Sequence, residues 1–389
     1  MSMVPLDAVP EELSAEERQR YARHLSLPEL GLEGQKRLRS ASVLCVGTGG
    51  LGSPLLLYLA AAGVGRIGVV DFDQVEASNL QRQVIHGSAS IGQAKTRSAA
   101  SRLHDLNPHV QVVEHNTRLD PSNALQILEP YDLVCDGTDN FPSRYLINDA
   151  CVLLGKPCIY GSVQGFEGQV SVFNRTADSP NYRDLVPQPP PPGLVPSCAA
   201  GGVLGVMPGL IGLIQATEAI KLIAGLGTSL DGRVLLVDAL AMRFRELTLA
   251  PSPTREPIQH LIDYQAFCGQ SGSAFAQEKP MESVSVRELK ALLDSGADLL
   301  LIDVRNPAEV EVAVIEGSEH VPLSAIESGE AIESIRNRAS GRSLYIHCKL
   351  GGRSAKAVAL LAEHGIEAIN VSGGIEAWSL EVDATVPRY

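Results

Sequence analysis

Ser42-Val43-Leu44-Cys45-Val46-Gly47-Thr48-Gly49-Gly50-Leu51-Gly52-Ser53 is the stretch from which the rest of the chain can be read. Residues that favour a buried strand run straight into a glycine-rich turn, and Ser53-Pro54 then opens an apolar helix through Ala62. The order is strand, phosphate loop, helix. Glycines at 47, 49, 50 and 52 suit a turn with unusual backbone angles, close phosphate approach to backbone N–H groups, and a helix lying tight on its strand. A second parallel strand over 66–70 ends at Asp71, 24 residues after Gly47, where nucleotide-binding βαβ units place the acidic residue that grips a ribose. The expected fold class is α/β with a Rossmann-like sheet.

A chain of 389 residues can bury two cores, or three small ones. Hydrophobic residues make up 44%, the composition of a soluble globular protein. The formal charge of −13 argues against nucleic acid as a partner, because a phosphate backbone would be repelled except at a local basic patch. The start carries Asp7, Glu11 and Glu12 without a basic segment and apolar run, so no signal peptide and a cytoplasmic location are expected. Seven cysteines never form C-x-x-C and fit neither a disulfide framework nor a zinc knuckle. Cys45, Cys135 and Cys158 fall in apolar runs and read as small core residues, whereas Cys198, Cys268 and Cys348 are expected in loops.

Ser14-Ala15-Glu16-Glu17 is a capping box for a helix carrying Arg18, Arg20 and Arg23, by pattern alone a solvated face. Residues 73–83 are polar and aperiodic, which suits a functional loop. A helix over 91–106 holds Lys95 and Arg97, and a strand covers 110–115. Tyr131 to Asp136 is a buried strand that runs into Gly137-Thr138-Asp139-Asn140, followed by a helix with Arg144. Ligands in open parallel sheets bind beyond the carboxyl ends of strands, so Asp71, Asp139 and the glycine loop should face one crevice. Strands follow at 157–163 and 168–173, and the proline run 187–193 forms a stiff extended segment, a mobile crossover leading to Cys198. Residues 203–225 are long and apolar enough to suggest a membrane span. Pro208, Gln215, Thr217, Glu218 and Lys221 favour instead a buried or dimer-packing helix, with no membrane partner. Strands at 233–238 and 242–249 close a first domain, 1–268, and 269–280 reads as a linker.

A smaller α/β domain, 281–389, follows. Its runs 299–305 and 343–348 are apolar strands ending in polar residues, and the second enters Cys348-Lys349-Leu350-Gly351-Gly352-Arg353-Ser354 and a helix from Ala355. A thiol cradled by loop amides at a helix N-terminus, with Lys349 and Arg353 nearby, favours the thiolate and a nucleophilic role over that of a buried structural cysteine.

The motifs G-x-G-G-L-G, D-F-D, S-N-L-Q-R-Q, G-x-x-K and D-G-T-D-N, with D-V-R and the C-x-x-G-x-R loop downstream, resemble those of molybdopterin-synthase adenylyltransferases of the MoeB/ThiF type fused to a C-terminal rhodanese domain, the MoeZ-like arrangement. The resemblance spans nearly the whole chain. It implies that ATP and magnesium activate the C-terminal glycine of a ubiquitin-like sulfur-carrier protein ending in Gly-Gly, relatives of the ubiquitin-activating enzymes using the same step. A persulfide on Cys348, loaded by a cysteine desulfurase or thiosulfate, would convert the acyl-adenylate to a thiocarboxylate. The implied roles put Gly50 and its neighbours on the nucleotide, Asp71 on the ribose, Asn79, Arg82 and Lys95 on the phosphates, Asn140 and Arg144 beside them, and Asp139 on magnesium. Arg23 matches an arginine lent across a homodimer. Cys198, in a flexible Pro-Ser-Cys-Ala-Ala-Gly-Gly setting, would resolve an acyl disulfide or carry the carrier as a thioester, unless it is inert. Members of this family often hold structural zinc with two C-x-x-C pairs; here Asn181 and Asp184 stand at the first and only Cys268 remains of the second, so no zinc is expected. A second departure is Ala313-Val314-Ile315 where the rhodanese pattern reads G-H-I.

Two other readings compete. An NAD-dependent Rossmann oxidoreductase would use the same glycine loop but leaves S-N-L-Q-R-Q, Lys95 and the cysteine loop unexplained. A non-catalytic carrier-binding scaffold would not need Arg82, Lys95, Asp139 and Cys348 together.

Overall fold

Strand β1 (Ser42–Val46) has Val43, Leu44 and Cys45 with no exposed surface, as a strand covered on both faces requires. Its side chains alternate between two cores: Val43 and Cys45 join one hydrophobic cluster, Leu44 and Val46 the other. In the computed structural model, which describes residues 12–190, 202–269 and 282–389, β1 lies between β2 (Arg66–Asp71) and β4 (Leu133–Asp136), parallel to both. With β3 (Gln111–Asn116), β5 (Cys158–Gln164), β6 (Glu167–Phe173), β7 (Arg233–Asp238) and β8 (Arg243–Thr248) it forms one eight-stranded sheet, ordered β3-β2-β1-β4-β5-β6-β7-β8. The first five strands in that order are parallel, and β6 to β8 continue antiparallel. Chain order reverses between β1 and β4, which opens a crevice at their carboxyl ends.

The helices Gly52–Ala62, Lys95–Leu106 and Val206–Ala224 cover one face through Leu55, Leu59, Leu103 and Ile211, and Phe141–Leu154 covers the other through Tyr145, Ile147 and Ala150. The 206–224 helix passes a length and hydropathy test for a membrane span. Two of its polar residues, Gln215 and Glu218, are nevertheless spent inside the protein. Gln215 Nε2 donates to the carbonyls of Asp136 and Ile159 at 2.8 and 3.1 Å, and Glu218 accepts from Leu230 N at 2.8 Å and pairs with Lys221. Both side chains are buried, and these bonds offset their desolvation.

Two helix starts change, and two loop cysteines turn out to be buried. The helix read from 91 begins at Lys95, because Gly92 takes a positive φ and Ala94 bridges Gln74. Cys268 lies in the turn after the short helix Tyr264–Phe267 but is buried in the cluster with Tyr145 and Tyr264. Cys348, also assigned to a loop, is 1% exposed, and the helix after it starts at Gly352 rather than Ala355. Cys198, the end of the proline run from 191, and all of the expected linker except Gly269 lie outside the described residues.

A second unit has its own parallel sheet, ordered β11-β10-β12-β13-β9, from β9 (Ser283–Ser285), β10 (Leu299–Asp303), β11 (Glu319–His320), β12 (Ser343–His347) and β13 (Ile369–Ser372). Leu300, Ile302, Leu344 and Ile346 face the Gly352–Glu363 helix side, while Leu299, Leu301 and Tyr345 face the core with Leu289 and Trp378. At 313–315, Ala313 and Ile315 are buried and Val314 points out, so the departure from G-H-I leaves the core intact.

Candidate active sites

The glycine loop closes because Gly47 takes φ +93° and a Cβ on Gly52 would lie 2.0 Å from the Gly47 carbonyl. Thr48 N and Oγ1 both donate to Asp71 Oδ2, at 2.8 and 2.9 Å, and Asp73 N donates to Asp71 Oδ1 at 3.0 Å. Asp71 therefore ties the loop to the end of β2 as well as standing where a ribose would be gripped. Behind the loop, the Gly52–Ala62 helix has no side-chain cap; Ser53 N–H donates to the Gly49 carbonyl at 2.9 Å and Pro54 has no N–H, so what the helix offers an anion is the positive end of its dipole.

A cavity of about 310 Å³ opens there. Gly47, Gly49, Gly50 and Asp71 form one side of it, and Arg82, Lys95 and Arg144 bring three cations to it. Asp139 and Asn140 lie at the mouth, both exposed, from the turn after β4. Lys95, 6% exposed, pairs with Asp73 at 3.1 Å, and Arg82 donates to the Ser78 carbonyl at 3.1 Å. Arg144 is buried against the rings of Phe141 and Tyr160, and its Nε has no partner among the described residues. Gln83 Oε1, on the same wall, is also buried and unpartnered. Burial pushes the Asp136 carboxyl above its ordinary range, against the pull of Arg144. A phosphate-bearing ligand fits such a site, which holds cations, the positive end of a helix dipole and unmet polar atoms.

Not every expected site residue reaches this cavity. Gly52 lies beneath it as packing, and Asn79 sits in a single turn of 3₁₀ helix, Ala77–Asn79, where its Oδ1 accepts from Glu76 N at 3.2 Å and its carbonyl from Arg82 N at 3.1 Å. Asn79 thus shapes the loop that carries Arg82. Arg23 is exposed and absent from the cavity wall of its own chain. The sequence reading missed Gln83, Phe72 and Arg118 on the wall, the last two stacked at 4.2 Å, and it missed His86 behind it. The D-F-D motif was the available signal for Phe72; nothing periodic marks His86.

In the second unit Cys348 follows β12 directly, and its Sγ accepts from Gly351 N at 3.1 Å and Ser354 Oγ at 3.4 Å. The loop carbonyls of Cys348 and Lys349 are taken by Ile375 N and Glu376 N at 2.9 and 3.1 Å, which leaves the loop amides turned toward the sulfur and the N-terminus of the Gly352–Glu363 helix. Arg353, expected beside the sulfur, has both terminal nitrogens on Glu309, at 2.6 and 2.7 Å. At the end of β10, Asp303 and the fully buried Arg305 form a multiply hydrogen-bonded pair. Burial pushes the neighbouring His347 imidazole down to about 4.

The residues at the family's zinc positions do not suit zinc. Asp184 pairs with Arg255 at 2.5 Å and accepts from Ser252 N and Asn181 N at 2.8 Å each, Asn181 Oδ1 takes Arg183 N, and Cys268 is in the core.

Residues 21–258 match the ThiF family and residues 285–381 the Rhodanese-like domain. A Mycobacterium tuberculosis protein named "Probable adenylyltransferase/sulfurtransferase MoeZ" is 49% identical over 392 residues, covering 100% of this chain and 99% of that protein. "Adenylyltransferase and sulfurtransferase MOCS3" of Sus scrofa is 46% identical, covering 100% of this chain and 91% of its own. Among solved structures, E. coli MccB with MccA-N7isoASN shares the fold at a TM-score of 0.55 and 20% identity, over 66% of this chain and 76% of that one. A glycine-loop α/β unit and a cysteine-loop α/β unit in one chain are the arrangement of a two-function transferase. The chain belongs to the ThiF family in its form joined to a rhodanese-like domain, the adenylyltransferase/sulfurtransferases. Membership sets aside the oxidoreductase and scaffold readings.

Proposed function

We propose that the first unit uses ATP to adenylate the C-terminal glycine of a ubiquitin-like sulfur carrier, and that Cys348 carries the sulfur that turns the product into a thiocarboxylate. The observation that carries this is the convergence of Arg82, Lys95, Arg144 and Asp139 with the glycine loop on one cavity. A carboxylate oxygen attacks the α-phosphorus, the bond to the β-phosphate oxygen breaks, and pyrophosphate leaves. Positioning and charge neutralisation are what this step needs, and the cations of the cavity with the helix dipole supply them without a general base. Asp139 would hold magnesium together with the nucleotide phosphates, and the metal would add further neutralisation of developing charge.

The outer sulfur of a Cys348 persulfide then attacks the acyl-adenylate carbonyl and AMP leaves, joining carrier and enzyme as an acyl disulfide. A second thiol, Cys198 in this reading, attacks the Cys348 sulfur; the thiocarboxylate departs and a Cys198–Cys348 disulfide remains, which a dithiol reductant resets with two electrons. Replacing Asp139 by Ala should abolish carrier-dependent ATP–pyrophosphate exchange in a folded protein. Exchange at near the original rate would overturn the assignment.

A further inference from the structure

Tyr389 lies outside the matched rhodanese segment, yet its side chain enters the cysteine site. Its hydroxyl accepts from Arg305 Nη1 and donates to Glu309 Oε1 at 3.1 Å. Glu309 in turn takes both terminal nitrogens of Arg353, and accepts from Asn306 N at 3.0 Å. The Tyr389 ring lies under the Lys349 ammonium, 4.5 Å from ring centroid to Nζ. Lys349 pairs with no carboxylate among the described residues, so the ring is what holds it. One phenol therefore joins the buried pair at the end of β10 to both cations of the loop around Cys348.

The chemistry of the hydroxyl suits that place. A phenol has one proton to give and lone pairs to receive, so it accepts from a guanidinium and donates to a carboxylate at once. Burial pushes its pKa up to about 12, which keeps the proton in place at neutral pH. Lys349 and Arg353 are the loop cations an anionic sulfur donor meets, and where they stand decides how well it is captured.

We propose that Tyr389 is a positioning residue for sulfur transfer, holding Lys349 and Arg353 around Cys348 for an anionic sulfur donor. The proposal rests on Cys348 as the sulfur-carrying residue. The full chain should be assayed for thiosulfate:cyanide sulfurtransfer as wild type, Tyr389→Ala, Tyr389→Phe and Cys348→Ala. Tyr389→Ala should raise KM for thiosulfate about tenfold with kcat changed less than about twofold, since ring and hydroxyl contacts are both lost. Tyr389→Phe keeps the ring over Lys349 and should raise KM only about threefold. ATP–pyrophosphate exchange should be unchanged in both. An unchanged KM in Tyr389→Ala, or a fall in kcat alone accompanied by a lower unfolding midpoint, overturns the positioning role while Cys348→Ala is inactive. Sulfurtransfer surviving in Cys348→Ala overturns the reading of Cys348 itself, and the proposal with it.

Discussion

His86 lies behind the glycine-loop cavity rather than in it. Its Nε2–H donates to the Thr48 carbonyl at 3.1 Å, and Nδ1 accepts from Ser98 Oγ at 2.9 Å, so it links the glycine loop to the helix that carries Lys95. Burial, assisted by Lys95, holds the imidazole below its ordinary pKa against the pull of the Thr48 carbonyl and Asp71, which keeps it neutral at pH 7 with the proton on Nε2. Removing the ring would leave the buried Thr48 carbonyl with only the long bond from Ser53 Oγ at 3.4 Å, at a cost of about 1–3 kcal/mol in stability. His86→Ala should therefore raise KM for ATP in pyrophosphate exchange by about tenfold, while His86→Gln, whose amide N–H can reach the same carbonyl, should recover most of it. An unchanged KM in the alanine variant would mean that Asp71 alone holds the loop. Asp71 is the counterpart legible in advance, because its distance from Gly47 is a motif spacing; His86 is not, because its partners at 48 and 98 are joined only by folding.

The strand ends of the second unit carry a different pH signature. Asp303 closes β10 and His347 closes β12, paired in register, but the Asp303 oxygens are taken by Arg305, and His347 Nε2, 3.7 Å from Asp303 Oδ2, has no hydrogen-bond partner among the described residues. Burial lowers the imidazole from 6.5 to about 4. Between those values the unfolded chain binds the proton and the folded unit does not, so stability rises with pH across the window and is lost as pH falls from 6.5 toward 4. Glu309, whose carboxyl Arg353 holds below its ordinary range against burial, acts in the same sense but only below about 4.5, at the bottom of this window. The single tryptophan, Trp378, is buried in this unit and reports its unfolding without signal from the other. Urea unfolding followed by Trp378 fluorescence should show about 2 kcal/mol less stability at pH 5 than at pH 7. Equal stability would mean that His347 is not held neutral. The strands themselves were legible, since Leu299 to Ile302 and Val43 to Val46 are apolar runs bounded by polar turns. What those runs could not disclose was the depth of Cys348 and Cys268, which long-range packing decides, or the meeting of Arg305 with Tyr389 across 84 positions.

On the scale of the whole molecule, the single chain leaves Arg23, an expected site residue, unused. It is exposed on the helix Ala22–Leu25 and does not reach the cavity formed by its own glycine loop. In a homodimer of the kind the family resemblance implies it would cross to the partner's glycine-loop site, and two-fold symmetry would then make each site from two chains. The arrangement can be tested by complementation. Arg23→Ala and Asp139→Ala should each be inactive in carrier-dependent pyrophosphate exchange when pure. Mixed under conditions that let subunits exchange, half of the dimers become mixed, and in each of these one site combines the intact Asp139 of one chain with the intact Arg23 of the other. Activity should then return to roughly a quarter of the wild-type value, because one site in each mixed dimer is complete. Were Arg23 to act within its own chain, every chain in the mixture would still lack one essential group, and exchange would restore nothing.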